Sequence, residues 1–445
     1  MWFITFAIFS IFFYIRGYKV TALLIFFFFL TEGFNLVPDE LVDLGTPLTK
    51  SSDYAFFILL AFLFVDFFSF RKFLKIDLFV VFLLVFFAFL FVCVIYNRYG
   101  LGVGMSEIIR TIRYLFFCMA YFVFRTLDKE QLQSLFKCLF IVTVFTSILY
   151  LLQIPLEQSI LVETTYNKTR FFGMSFTRNY NQPSMLHFFV FMSIYASPFK
   201  GIVKKVVMGI LILALFAAFH RSLMGFFLVS IIIGYFLSLP KINRVQISVG
   251  AAVLMLFVVI FGSSYFTKSR TYKDIKTIMT SKNILDADIN ISDLADATFT
   301  FRMAHLLERN EYLRENPMSQ LFGAALITED SKNVDKMFDF QIGLIEEFTR
   351  EIIQVDTGDI SYSVLLLRFG YLGTILYLAI FFYLMFYFYK KRDENIYARF
   401  SFLYMILIFG VSFFSSNLVI PMTFLLPMIS YLIIKKQIEP QSGDI

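Results

Sequence analysis

Between Asp77 and Tyr96 the chain runs from Leu78 to Ile95 without one charged, hydroxyl or amide side chain. A stretch that is apolar all round offers water no face. In lipid it must pair its backbone groups within the segment or within a closed barrel. Barrel strands alternate in hydrophobicity, and this run does not. Similar runs recur near residues 2–15, 20–37, 54–70, 108–124, 134–153, 184–198, 203–219, 222–239, 245–262, 360–389, 397–415 and 418–434. The reading is an all-α polytopic integral membrane protein with about 12–13 transmembrane helices. The composition agrees: of 445 residues, 59% are hydrophobic and 16% charged, against roughly 45–50% and 25% in soluble domains.

The links between runs carry the topology. Arg16/Lys19, Arg71/Lys72/Lys75, Arg125/Lys129/Lys137, Lys200/Lys204/Lys205, Lys241/Arg244, Lys390/Lys391/Arg392 and Lys435/Lys436 occupy every second connection. The positive-inside rule makes these cytoplasmic. The C-terminus is then inside, and the intervening links, including the acidic 38–53, are outside. The first run leads to the basic turn Arg16–Lys19 instead of a small-residue cleavage site, so it is read as a span, not a signal peptide. The net charge of +6 resides beside membrane segments, which speaks against nucleic acid as a partner. Cys93, Cys118 and Cys138 lie inside apolar runs and are expected to pack there. His187, His220 and His305 make no metal-ligand spacing, so no metal and no cofactor are expected.

The organisation expected is an N-terminal membrane part over residues 1–262 with about ten spans, a large outer loop over 263–358, C-terminal spans over 359–436 and a cytoplasmic tail over 437–445. The loop is polar but patterned. Residues 298–317 show Phe301, Ala304 and Leu307 at helical spacing and stop before Pro317, and residues 335–356 read as a second, acidic amphipathic helix.

Several charges stand where lipid would penalise them. Arg221 sits in ALFAAFHRSLMGFFLVS between two apolar runs, with His220 beside it. Arg110 and Arg113 are three apart, on one helix face, and Arg368 lies well inside a span. Snorkelling to the interface accounts readily for Arg110 and Arg221, less well for Arg113 and Arg368. Guanidinium groups converging from the outer side suit an anionic phosphate or diphosphate. Before the seventh span, NKTRFFGMSFTRNYNQPSM holds Arg170, Arg178, Asn179, Asn181 and Gln182 among aromatics, a mixture suited to sugar hydroxyls or to a plain polar turn.

The order of these stretches resembles the bacterial O-antigen polymerase and O-antigen ligase superfamily, membrane glycosyltransferases of the GT-C type. RFFGMSFTRNYNQPSM is similar to the family's arginine-glycine and asparagine segment before a span, and HRSLMGFFL to its serine-arginine span start, with His220 where serine is usual. FRMAHLLERNEYLRENPMSQLFGAA resembles its arginine-led outer-loop stretch, lacking the aromatic and with Gly323-Ala324-Ala325 for the glycine pair. GDISYSVLLLRFGYLG resembles the start of its next span, with Asp359 where ligases carry histidine. The resemblance covers about residues 165–390.

It implies a donor oligosaccharide repeat on undecaprenyl diphosphate and an acceptor hydroxyl on a second lipid-linked repeat. The reaction would extend O-antigen, capsule or exopolysaccharide at the periplasmic face of the inner membrane, without metal. Membrane lipids and a chain-length regulator protein would be further partners. Arg221 and Arg302 are assigned to the diphosphate or its sugar, with Asp359 orienting or deprotonating the acceptor. Arg113, Arg110, Arg170, Arg178, Asn179, Asn181, Arg368, His305 and Tyr362 are assigned as substrate contacts. A ligase moving polymer to lipid A core shares the arginines but not Asp359. A flippase of lipid-linked sugars would show repeated halves and interrupted helices.

Overall fold

The apolar runs fold as helices whose ends fall at polar residues. In chain order these are α1 (Trp2–Ile15), α2 (Lys19–Leu30), the four-residue turn α3 (Glu32–Asn35), α4 (Asp39–Val42), α5 (Ser51–Phe68), α6 (Leu78–Ile95), α7 (Met105–Phe116), α8 (Ala120–Arg125) and α9 (Lys129–Leu156). After a hairpin, β1 (Tyr166–Phe171) with β2 (Met174–Asn179), come α10 (Leu186–Tyr195), α11 (Gly201–Ala217) and α12 (Arg221–Ser238). Then follow α13 (Thr298–Glu315), α14 (Pro317–Phe322), β3 (Gly343–Ile345), β4 (Ile352–Gln354), α15 (Ser361–Lys391), α16 (Ile396–Val411) and α17 (Met422–Ile438). This computed structural model describes residues 2–44, 49–68, 76–162, 166–171, 174–179, 181–238, 298–327, 343–345, 352–354 and 360–438.

Local chemistry sets the boundaries. Asp77 caps α6 by accepting from Val80 N–H at 2.9 Å. Asp128 and Gln131 cap α9 reciprocally, at 2.7 and 3.0 Å. Among the described residues α6 with its following turn, α9, α12 and α15 are each long and apolar enough to cross a membrane, and α1, α2, α10 and α16 are shorter apolar helices. The protein is helical and membrane-spanning in character.

The core is clearest at α17, where every residue from Met422 to Ile434 is buried. A helix buried all round is one wrapped by neighbours. Aromatic rings fill the spaces between helices: Phe188 of α10 meets Phe400 and Tyr404 of α16 with centroids 5.4 and 5.0 Å apart.

The structure departs from the sequence reading at five places. The run 20–37 stops at Leu30 and turns. The run 108–124 is interrupted by a 3-10 turn, Phe117–Met119. The single helix expected over 360–389 is kinked at Gly370, with φ 61° and ψ −164°. Two antiparallel hairpins qualify the all-α expectation: β1 pairs with β2, and β3 with β4. The second replaces part of the helix expected over 335–356: Gly343–Ile345 pairs antiparallel with Ile352–Gln354. The span expected at 245–262 lies outside the described residues.

The helices alternate in direction, so the links gather at two ends. At one end Lys19 donates to Thr126 at 2.7 Å, Lys435 to Asp77 at 2.7 Å and Lys436 to the Arg125 carbonyl at 3.1 Å. Asn395, in the link that follows Lys390–Arg392, donates to Gln437 at this same end. The opposite end is formed by α3 and α4, residues 157–162 and 181–185, the turn 218–220 and the segment 412–421.

Candidate functional site

At that opposite end lies a cavity of about 540 Å³. Its wall is built from four links. Thr31, Glu32 and Asn35 come from the turn after α2, and Asn181, Gln182, Pro183, Ser184 and His187 from the entry to α10. Ala218, His220 and Leu223 come from the α11–α12 turn, and Ser415, Asn417 and Val419–Thr423 from the entry to α17. Among its described lining residues there is one carboxylate, Glu32, two histidines, His187 and His220, and no lysine or arginine.

Each polar side chain is held by its neighbours. Gln182 donates to the Ala214 and Leu215 carbonyls at the end of α11, both at 3.0 Å, and its Oε1 faces His187 Nε2 at 3.3 Å. Since the amide nitrogen is spent on α11, that oxygen accepts the His187 Nε2 proton. His220 caps α12: its Nδ1 accepts from Leu223 N–H at 3.3 Å and lies 3.1 Å from Ser222 Oγ. An accepting Nδ1 leaves the ring proton on Nε2. The turn before it is strained, with Phe219 at φ 48°.

The Glu32 turn is more unusual. Glu32, Gly33, Phe34 and Asn35 have φ of 51°, 63°, 59° and 65°, a full left-handed turn in which only glycine is at ease. Three contacts hold it: Asn35 O accepts from Val162 N–H at 2.9 Å, and Asn35 Oδ1 accepts from Ser184 N–H and Oγ, both at 3.0 Å. Strain of this kind persists only where the surroundings over-determine it.

Of the described residues that the sequence assigned as catalytic groups or substrate contacts, one, Asn181, lines this cavity. Its amide is taken up by the protein, donating to the Leu161 and Val162 carbonyls at 2.9 and 3.0 Å and accepting from Gln153 at 3.0 Å. It therefore anchors the loop and offers a substrate little. Asn179 is buried, and its carbonyl accepts from Tyr150 at 2.8 Å. Arg113 pairs with Asp53 and donates to Tyr114 Oη at 3.2 Å; Tyr114 lines the cavity. The Asp53 carboxylate also accepts from Lys50 N–H at 2.9 Å, so Arg113 is balanced inside the protein.

Arg110 is exposed on α7 and Arg221 is exposed at the first position of α12, one residue from His220. Arg302 is half-buried on α13, and Arg368 half-buried on α15 just before the Gly370 kink. Tyr362 donates to the Phe409 carbonyl at 3.3 Å and packs on Phe413. Arg170 and Arg178 lie on β1 and β2. Their side chains, that of His305, and Asp359 altogether fall outside the described residues.

The outer-loop stretch and the start of α15 are locked together. The Gly370 kink frees the Leu367 carbonyl, which accepts from Ala324 N–H at 2.8 Å. Asn97 Oδ1 accepts from Leu326 N–H at 2.6 Å, and Tyr371 donates to Asn310 at 2.7 Å. Ala324, Ala325, Leu326 and Ile327 are buried, so this part of the 263–358 segment packs into the bundle.

Sequence reasoning missed Glu32, because the apolar run was carried through it to residue 37. The signal was present in TEGFN: Gly33 and Asn35 are residue types that accept left-handed backbone. Compared with protein families, curated proteins and solved structures, the chain matches none.

Proposed function

We propose that the protein is a polysaccharide polymerase of the bacterial inner membrane, joining lipid-linked oligosaccharide repeats on the periplasmic side. One observation carries this reading. Of the four stretches that resemble the polymerase and ligase superfamily, two wall the cavity, through Asn181–Ser184 and through His220 and Leu223. The other two are joined at Gly323 and Gly370. The cavity lies at the end away from the lysine-rich links, the outer end under the positive-inside rule.

In the reaction proposed, an acceptor sugar hydroxyl attacks the anomeric carbon of the donor repeat and undecaprenyl diphosphate departs. The leaving group is already good, so the protein's part is positioning and charge neutralisation. The N-terminus of α12 contributes partial positive charge at the cavity wall, and Arg221 and Arg302 are the cations assigned to the diphosphate.

The test is purified protein in nanodiscs given lipid-linked repeats with EDTA present. The expected result is a polymer ladder with release of undecaprenyl diphosphate. A preparation that is folded but makes no ladder overturns the reading, and transfer to lipid A core alone makes the protein a ligase.

A further inference from the structure

A second cavity, of about 480 Å³, adjoins the first. Its wall is the chain from Leu36 to Glu40 and the loop Ser159–Val162, and the two cavities share Glu32 and Val162. The smaller cavity carries Asp39 and Glu40 and, among its described lining residues, no cation. That surface repels a diphosphate and suits the hydroxyls of a neutral sugar. The larger cavity carries the histidines and the α12 N-terminus, and is the better place for the activated end of a donor.

The partition between them is built and held. Glu32 stands in the left-handed turn, and that turn is tied to Val162 on one side and Ser184 on the other. Gly33 fills the tightest point, where an added Cβ would come within 2.3 Å of the Val37 side chain. A chain that spends strained backbone to hold one carboxylate between two cavities is positioning that carboxylate.

Resting on the glycosyl-transfer reading, we infer that Glu32, in place of Asp359, is the catalytic base, with the donor's reacting sugar in the larger cavity and the acceptor's terminal sugar in the smaller. The acceptor O–H proton passes to the Glu32 carboxylate as its oxygen bonds the donor's anomeric carbon. The bond from that carbon to the diphosphate oxygen breaks, and its electron pair leaves with undecaprenyl diphosphate. Glu32 then returns the proton to water.

The experiment compares wild type, Glu32→Gln and Glu32→Asp in nanodiscs with lipid-linked repeats, measuring ladder formation as kcat and KM, with a melting curve for each. Removing a positioned base costs about 100- to 10,000-fold. Glu32→Gln should therefore lose at least about 100-fold in kcat with KM within about twofold, while Glu32→Asp keeps partial turnover. Should Glu32→Gln fail to fold, Glu32→Asp decides: a kcat lowered about tenfold or more, at unchanged KM and melting, supports the assignment. Wild-type turnover in Glu32→Gln, or a loss confined to KM, overturns it and leaves the polymerase reading standing. A folded but silent wild type overturns that reading and this assignment together.

Discussion

Gly323 and Gly370 meet backbone to backbone: a Cβ on Gly370 would lie 2.8 Å from the Gly323 nitrogen and 2.6 Å from the Ser319 and Gln320 carbonyl oxygens. A Cβ on Gly323 would lie 2.5 Å from the Arg368 carbonyl carbon. Both glycines have positive φ, 83° and 61°. This joint fixes α14 to α15.

Gly370→Ala should therefore destabilise the protein by about 3 kcal/mol, combining backbone strain with a forced displacement of α14. Thermal unfolding in detergent, followed with a thiol-reactive dye that reports exposure of the buried Cys93 and Cys118, measures it. Gly209→Ala, where an added Cβ meets nothing within 4 Å, should melt with wild type.

Asp53 and Arg113 form a largely buried ion pair, with side chains 8% and 14% exposed. Removing Asp53 alone strands the guanidinium and should cost about 3 kcal/mol. Asp53→Ala with Arg113→Ala should cost less than the two single changes summed, by at least about 1 kcal/mol in a double-mutant cycle. Additive losses would show the pair to be uncoupled.

Alkaline phosphatase fused at Asn310 should be active and a fusion after Lys391 silent, as the collection of lysines at one end requires. The reverse pattern would put the cavity on the cytoplasmic side and remove the donor argument.

Arg221 opens α12 beside His220, which lines the cavity. Loss of a charge-assisted contact to the diphosphate would cost about 2–4 kcal/mol, or roughly 30- to 1000-fold in rate. Arg221→Ala and Arg221→Lys should both lose the polymer ladder, because an ammonium does not reproduce the planar fork. A wild-type ladder from Arg221→Ala would leave this residue as an interface anchor.

Asp77 lies at the other end, outside the spans. Burial pushes its carboxyl up, but the Lys435 ammonium, the Val80 N–H and the Tyr121 hydroxyl outweigh this and hold it below the usual range. A depressed folded pKa contributes stability that is present above the unfolded value of about 4 and lost as pH falls through the folded one. Asp77→Asn should therefore melt lower than wild type at pH 7, and the difference should shrink as the pH approaches 3.

The sequence by itself determined the helical, membrane-spanning character of the chain and where several of its helices begin. α12 begins at Arg221 and α9 at Lys129, near the boundaries that the charges marked, because lipid obliges each segment to close its own backbone hydrogen bonds. Of the basic links that the sequence marked, those carrying Lys19, Lys435 and Lys436 meet at one end. What only the tertiary structure decided is which side chains face a cavity. α6 is apolar on every side, and a helix without a polar stripe carries no record of the face it will bury. Arg113 and Asn181 read as ligands in one dimension; in three, Asp53 and the Leu161–Val162 carbonyls engage them first. Glu32 read as nothing, because its importance lies in a left-handed turn fixed by Val162 and Ser184, residues more than a hundred positions away. No local pattern encodes such a contact, since the strain it stabilises exists only once the distant segments have packed.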